Sequence, residues 1–206
     1  MNAALDHLVI ATPELEEGAA WFTARSGLPL APGGQHVTMG THNRLLSLGD
    51  AAYLEVIAID PDATPPEHPR WFDLDRPAEA TGLRTWVVRC NDLEAALAVA
   101  PPGSGVPRDF ARGDLRWRMA VPQDGRLPFD NLFPALIEWQ TEAHPAPRLP
   151  DAGARLRDLT LTHPRADALR AALAGILDDP RVTVQPGTVA SITATLDTSA
   201  GPRPLI

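Results

Sequence analysis

The sequence predicts an α+β fold of tandem β-α-β-β-β modules in a mixed sheet, with a partial third module at the C-terminus. Two observations carry this prediction. Short apolar runs, cut by Gly and Pro, follow one another in the order strand, helix, strand, strand, strand. That order then starts again with matching residues near position 82. The 22 Pro and 15 Gly among 206 residues favour short elements and many turns, so long helices are not expected.

In the first module, residues 1–62, "LDHLVIAT" reads as a strand, and "PELEEGAAWFTARSGL" as a helix opened by Pro and acidic residues and closed by Gly27. "QHVTMG", "HNRLLSLG" and "AAYLEVIAID" follow as three strands separated by glycine-bearing turns. Residues 63–81 form a proline-rich connector. The second module, 82–146, repeats the pattern with "GLRTWVVRC", the helix "NDLEAALAVA", "DLRWRMAVP" and "PALIEWQ". Laying Leu5 on Leu83 also lays Leu15 on Leu93 and Glu16 on Glu94, so the two halves look like duplicates. A third start, "RLRDLTLTHPRADALRAALAGIL", followed by "RVTVQPG" and "VASITATLDT", opens residues 147–206 and stops before a full set of strands.

Composition bounds the function. Apolar residues at 44% and charged residues at 21% are those of a folded chain. The formal net charge of −8 argues against a nucleic-acid partner, which needs a concentrated basic face. No stretch nears the ~20 apolar residues of a membrane span, and no basic segment precedes an apolar one at the N-terminus, so the expected location is the cytoplasm. The single cysteine, Cys90, has no partner for a disulfide or a CxxC motif and reads as a buried strand residue. GxSxG, Walker A, GxGxxG and HExxH are all missing, so no nucleotide cofactor is expected.

Several polar residues sit where strands should be apolar. His7 lies inside "LDHLVIAT", Glu55 inside "AYLEVIAID" and Glu138 inside "ALIEWQ". A carboxylate buried without a partner is costly, so both glutamates should meet a cavity, a cation or a hydrogen-bond donor. Alternation along "THNRLLSL" puts Thr41 and Asn43 on one face, with His42 and Arg44 on the other. Thr41 and Asn43 then offer contacts to a ligand, or Asn43 satisfies a turn. His36, after Gly33 and Gly34, is a candidate acid or base, or a surface histidine. Trp86, Trp117 and Phe133 would line a pocket or fill the core. Arg108 and Arg112 could each take a substrate carboxylate through a bidentate contact. His144, before a proline, reads as structural.

The tandem modules, with "LDHLVIATPELEEGAAWF" opening the first and "YLEVIAID" closing it, resemble the vicinal oxygen chelate superfamily. "GGQHVTMGTHNRLLSLGDAAYLEVIAID", "RWF", "LRTWVVRCNDLEAAL", "LRWRM" and "LIEWQTEAHPA" narrow the resemblance to its glyoxalase-like branch, over about residues 4 to 146. The resemblance implies a cupped sheet and a divalent metal (Mn, Fe, Ni or Zn) held by His7, Glu55 and Glu138. Thr85 stands at the fourth ligand position, where a hydroxyl is a poor donor. It further implies an enzyme acting on a small oxygen-rich molecule, with Glu55 or Glu138 taking a proton next to a carbonyl, and a homodimer. Two rival readings stay open: a metal-free small-molecule binding protein of the same fold, and an extradiol-type dioxygenase in which His36 or His42 joins His7 and Glu55.

Overall fold

The computed structural model describes residues 3–76 and 80–206. The first module runs β1 (Ala3–Ala11), α1 (Leu15–Ser26), β2 (Ala31–His36), β3 (Thr41–Ser47) and β4 (Tyr53–Ile59). The second runs β5 (Gly82–Cys90), α2 (Leu93–Val99), β6 (Val106–Arg112), β7 (Leu115–Val121) and β8 (Ala135–Trp139). These eight strands form one sheet in the order β2-β3-β4-β1-β5-β8-β7-β6. Each module pairs its first strand in parallel with its last, and the modules join through antiparallel β1 and β5.

The helices start and stop where side-chain chemistry says they should. Glu14 accepts hydrogen bonds from the Glu16 and Glu17 amides at the head of α1, and Gly27 closes it in the left-handed region at φ 72°. Asp92 caps α2 by accepting from the Ala95 amide. Leu15, Gly18, Phe22 and Ser26 make the buried stripe of α1. Gly18 is required by packing, because a Cβ there would stand 2.5 Å from Thr12.

The sheet has two differently filled faces. Leu5, Leu8, Ile10, Trp86, Val88 and Phe133 belong to a large apolar core shared with α1 and α2. Val9, Ile57, Val87, Phe110, Trp117 and Met119 belong to a second cluster on the opposite, concave face. The sheet curls until its edge strands approach: a Cβ on Gly34 in β2 would lie 3.2 Å from Arg112 Cδ in β6. The result is a half-barrel.

Residues 147–206 hold the expected strand, helix and two strands and add a fifth element: β9 (Arg155–His163), α3 (Ala166–Ala174), β10 (Val182–Pro186), β11 (Ser191–Asp197) and β12 (Arg203–Leu205). Their order is β10-β9-β11-β12, so the first strand pairs with the second and third rather than with the last. Leu159, Leu161, Leu173 and Leu196 from this segment join the core that holds Trp86. The small sheet therefore covers the helix side of the large one. Among the described residues no helix is long and apolar enough to cross a membrane.

Trp86 and Phe133, candidates for a ligand pocket, are fully buried in this helix-side core. The reason is register: both Trp86 neighbours, Thr85 and Val87, face the concave side, so Trp86 points away. Its indole donates to the Leu132 carbonyl at 2.9 Å. Trp86→Phe should cost about 1–2 kcal/mol and Trp86→Ala about 3–5 kcal/mol in denaturant unfolding. A loss below about 0.5 kcal/mol for the alanine variant would contradict its place in the core.

Candidate functional site

The concave face holds a narrow cavity that opens to solvent. Its polar floor begins with an irregularity in β1. The β1–β5 register shifts between Leu5 and His7, which leaves Asp6 as the extra residue of a bulge. Leu5 and Leu8 both stay on the helix side, so the bulge lets two consecutive side chains, Asp6 and His7, face inward.

Asp6 is wholly buried. Its Oδ1 accepts from His7 Nδ1 at 2.7 Å, and its Oδ2 accepts from Trp139 Nε1 and His144 Nε2, each at 3.0 Å. Arg89 Nη1 stands 3.7 Å away. Burial alone would raise the Asp6 pKa, but the hydrogen bonds from His144 and His7 outweigh it and hold the carboxyl well below the usual range. His144 Nδ1 accepts from the Ala146 amide, which leaves the ring proton on Nε2 for Asp6. His144 is structural, in line with its reading from sequence.

With Nδ1–H given to Asp6, His7 turns Nε2 toward Glu55 Oε2 at 3.7 Å. Its ring stacks on Tyr53, with centroids 4.4 Å apart. Glu55 Oε1 accepts from Asn43 Nδ2 at 2.5 Å. The Asn43 amide cannot flip, because its Oδ1 accepts from the Gly34 amide at 2.8 Å. Gly33 makes this possible: a Cβ there would fall 2.1 Å from Asn43 Oδ1.

Arg112 reaches in from the end of β6. Its Nη1 donates to His36 Nε2 at 3.2 Å and approaches Asn43 Oδ1 at 3.5 Å. A guanidinium only donates, so His36 Nε2 is an acceptor and its Nδ1–H goes to Thr41 Oγ1 at 3.1 Å. Burial, then the Arg112 charge, push the His36 pKa down to about 3, so the ring is neutral at physiological pH. Around these groups stand Trp71, Phe72, Trp117, Met119, Ile137 and Trp139. The 3-10 turn Trp71–Asp73 brings in two of them, and it holds Phe72 and Asp73 in the left-handed region at φ 59° and 57°. Asp73 is tied down by its amide bond to Gly125 O at 2.9 Å and by Asn131 Nδ2 at 3.2 Å.

The structure thus brings His7, His36, Asn43, Glu55 and Trp117 into one cavity, with Thr41 behind His36. Glu138 is not brought there. In β8, Ile137 and Trp139 face the cavity, so Glu138 between them points to the helix side, where it meets Arg118 at 3.3 Å beside Glu94 of α2. The duplicate-strand register explains this correction. Val9 pairs Glu55, and its counterpart Val87 pairs Ala135, so the true match of Glu55 is Ala135. Arg108 also stays outside the cavity lining. It shares a face of β6 with Arg112, but Phe110, packed on Trp71, lies between them. His42 lies on the helix side of β3, opposite Ala58.

Sequence reasoning missed Asp6, Tyr53, Trp71, Phe72 and Trp139. Asp6 had a signal, because an acid beside a histidine in an apolar strand needs either burial with donors or a bulge. Trp71 and Phe72 had none, since their approach depends on the left-handed turn, whereas Tyr53 and Trp139 share strand faces with Glu55 and Ile137 and were open to the same reasoning.

The expected metal centre does not fit these residues. Two donors, His7 Nε2 and Glu55, face the cavity, while Glu138 lies on the opposite face. Thr85 spends its hydroxyl on the Asn131 carbonyl at 2.8 Å. Among the described residues no three His, Cys, Asp or Glu side chains converge as ligands.

The glyoxalase-like domain family model matches residues 5–177. The chain belongs to the glyoxalase-like domain family. No curated protein matches it. Among solved structures, this glyoxalase-like chain is similar to a hypothetical protein from Staphylococcus aureus, with a TM-score of 0.62 at 13% identity over 93% of this chain and 88% of that one. It also aligns with a Streptomyces coelicolor methylmalonyl-CoA epimerase in complex with 2-nitronate-propionyl-CoA, with a TM-score of 0.44 at 16% identity over 68% and 97% of the two chains. A Mycobacterium tuberculosis methylmalonyl-CoA epimerase gives a TM-score of 0.41 at 21% identity over 66% and 85%.

Because the Asp6 pKa is lower in the folded protein than in the unfolded chain, its contribution to stability is present above the ordinary carboxylate range. That contribution is lost as pH falls through the range toward the folded value. Asp6→Asn should cost about 2–4 kcal/mol at neutral pH. The gap between wild type and variant should narrow below about pH 4. Parallel unfolding curves for the two proteins from neutral pH to pH 2.5 would contradict this assignment.

Proposed function

We propose that this glyoxalase-like protein is an enzyme that moves a proton on a carbon adjacent to the carbonyl of a small oxygen-bearing molecule. One observation carries the reading: two proton acceptors, His7 Nε2 and Glu55 Oε2, stand 3.7 Å apart in one cavity, each fixed from behind by its own partner, Asp6 and Asn43. This arrangement suits a base that removes a proton and a neighbour that receives or returns one. The C–H electron pair moves into the new C–C double bond and negative charge builds on the carbonyl oxygen. Arg112 supplies the donor for that oxygen. In this reading His36 holds Arg112 and takes no proton itself.

The same cavity supports a second reading, a metal-free binding protein. The observation behind it is the density of rings: Tyr53, Trp71, Phe72, Trp117 and Trp139 leave a narrow space suited to gripping a flat molecule.

Proton exchange in deuterium oxide separates the two. Small hydroxy-carbonyl and 2-oxo compounds, followed by NMR, should lose their α-proton signal with the wild-type protein. His7→Gln and Glu55→Gln should each slow that loss by about 10²–10⁴-fold while keeping the far-UV circular dichroism spectrum. Exchange that survives both substitutions removes the assigned bases. Ligand-induced quenching of tryptophan fluorescence with no exchange on any compound favours the binding protein.

A further inference from the structure

Arg112 makes no ion pair among the described residues, and the Glu55 carboxylate of the same cavity stands behind the Asn43 amide. The Arg112 side chain is half-buried. Its two protein acceptors, His36 Nε2 and Asn43 Oδ1, are neutral groups. They use one guanidinium nitrogen and hold the fork in a single orientation, leaving the rest of its donors to the cavity. The chain makes room for this side chain at some expense to β2. Gly33 and Gly34 interrupt the β2–β3 register, and a Cβ on Gly34 would press on Arg112 Cδ at 3.2 Å and Nη1 at 3.4 Å.

A second donor in the same wall is also unmatched. The Trp71 indole Nε1 is buried and has no hydrogen-bond partner among the described residues, although Trp71 lines the cavity. A buried N–H left unpaired is costly, and such groups call for an acceptor. Trp71 packs edge-on to His36, with centroids 5.0 Å apart, and His36 is bonded to Arg112, so the Trp71 ring and Arg112 border one corner of the cavity. The rest of the wall is flat and apolar, from Phe72, Trp117, Trp139 and Tyr53.

We infer that the cavity takes a small planar 2-oxo monocarboxylate with an aryl or unsaturated body, its carboxylate on Arg112 and Trp71 Nε1, its 2-oxo group beside the same guanidinium and its flat body among the aromatic rings. The inference rests on the reading of this cavity as a substrate site and adds the class of substrate. One carboxylate satisfies both unmatched donors, because its two oxygens accept from a guanidinium and an indole N–H together. A neutral molecule of the same shape would leave the Arg112 charge without an ion pair as the cavity closes over it. The narrow space also limits the body to about one ring.

The test is tryptophan-fluorescence titration of the full chain with three pairs of probes: benzoate and benzamide, cinnamate and cinnamamide, phenylpyruvate and phenylacetone. Phenylpyruvate, the 2-oxo acid, should bind tenfold or more tightly than its neutral partner, and more tightly than the two acids that lack the 2-oxo group. Arg112→Met should reduce that preference below twofold, Arg112→Lys should restore part of it, and Trp71→Phe, which keeps a ring but removes the N–H, should weaken the acid selectively. Thermal unfolding of each variant guards against loss of fold, and the lysine variant keeps the charge if the methionine variant does not fold. Phenylpyruvate that binds no better than its neutral partner or than the other two acids, or a preference unchanged in Arg112→Met, would overturn the inference. The proton-exchange reading fails separately: acid-selective binding that persists in His7→Gln, without α-proton exchange, keeps the substrate class and removes the chemistry.

Discussion

A single buried carboxylate organises the site. Asp6 sits at the junction of the two modules, where β1 meets β5, and a charge enclosed there must be fully hydrogen-bonded or it would destabilise the fold by several kcal/mol. Its three donors come from β1 itself, from the end of β8 and from the segment that follows, and Arg89 of β5 stands just beyond. Satisfying Asp6 therefore fixes the His7 ring, the Trp139 indole and the path of the chain after the second module in one arrangement. The tautomer of His7, and so the free nitrogen it presents to the cavity, follows from that arrangement.

Much of the fold was legible because it rests on periodicity. Alternation separated Asn43 from His42 and Arg44 correctly, since β3 is flanked on both sides and a slip of one residue would have buried Arg44 and exposed Leu45. The same rule misled at β8. Glu55 and Glu138 look alike in sequence because each interrupts an apolar strand, but β8 is short and its pairing sets Ala135 at the level of Glu55. Glu138 instead meets Arg118, a satisfied pair at the helix side. A charged residue in an apolar run signals a required partner, and the run alone does not say on which face that partner waits.

Three of the residues that escaped reading lie off the regular strand pattern. Trp71 and Phe72 act from outside the sheet, and Asp6 acts through a bulge, so neither follows a strand or helix period. Both depend on contacts across long stretches of chain. Arg112 was visible as a candidate beside Arg108, and only the curl of the sheet, which brings β6 up to the glycines of β2, distinguishes them. The C-terminal segment shows the opposite case. Its strand-helix opening was plain, but the different strand order in its sheet is set by packing on the helix side of the half-barrel.

The left-handed turn at Phe72 and Asp73 divides the cavity into two parts of different origin. The polar floor is carried by paired strands, where a change of residue risks the register of a whole sheet. The aromatic roof hangs on a short strained segment pinned by the Gly125 carbonyl and the Asn131 side chain. A lineage could therefore exchange roof residues, and with them the shape of molecule admitted, while leaving the floor in place. The two like modules supply a rigid chassis, and in the proposed reading the turn between them is where the shape of the admitted molecule has room to drift.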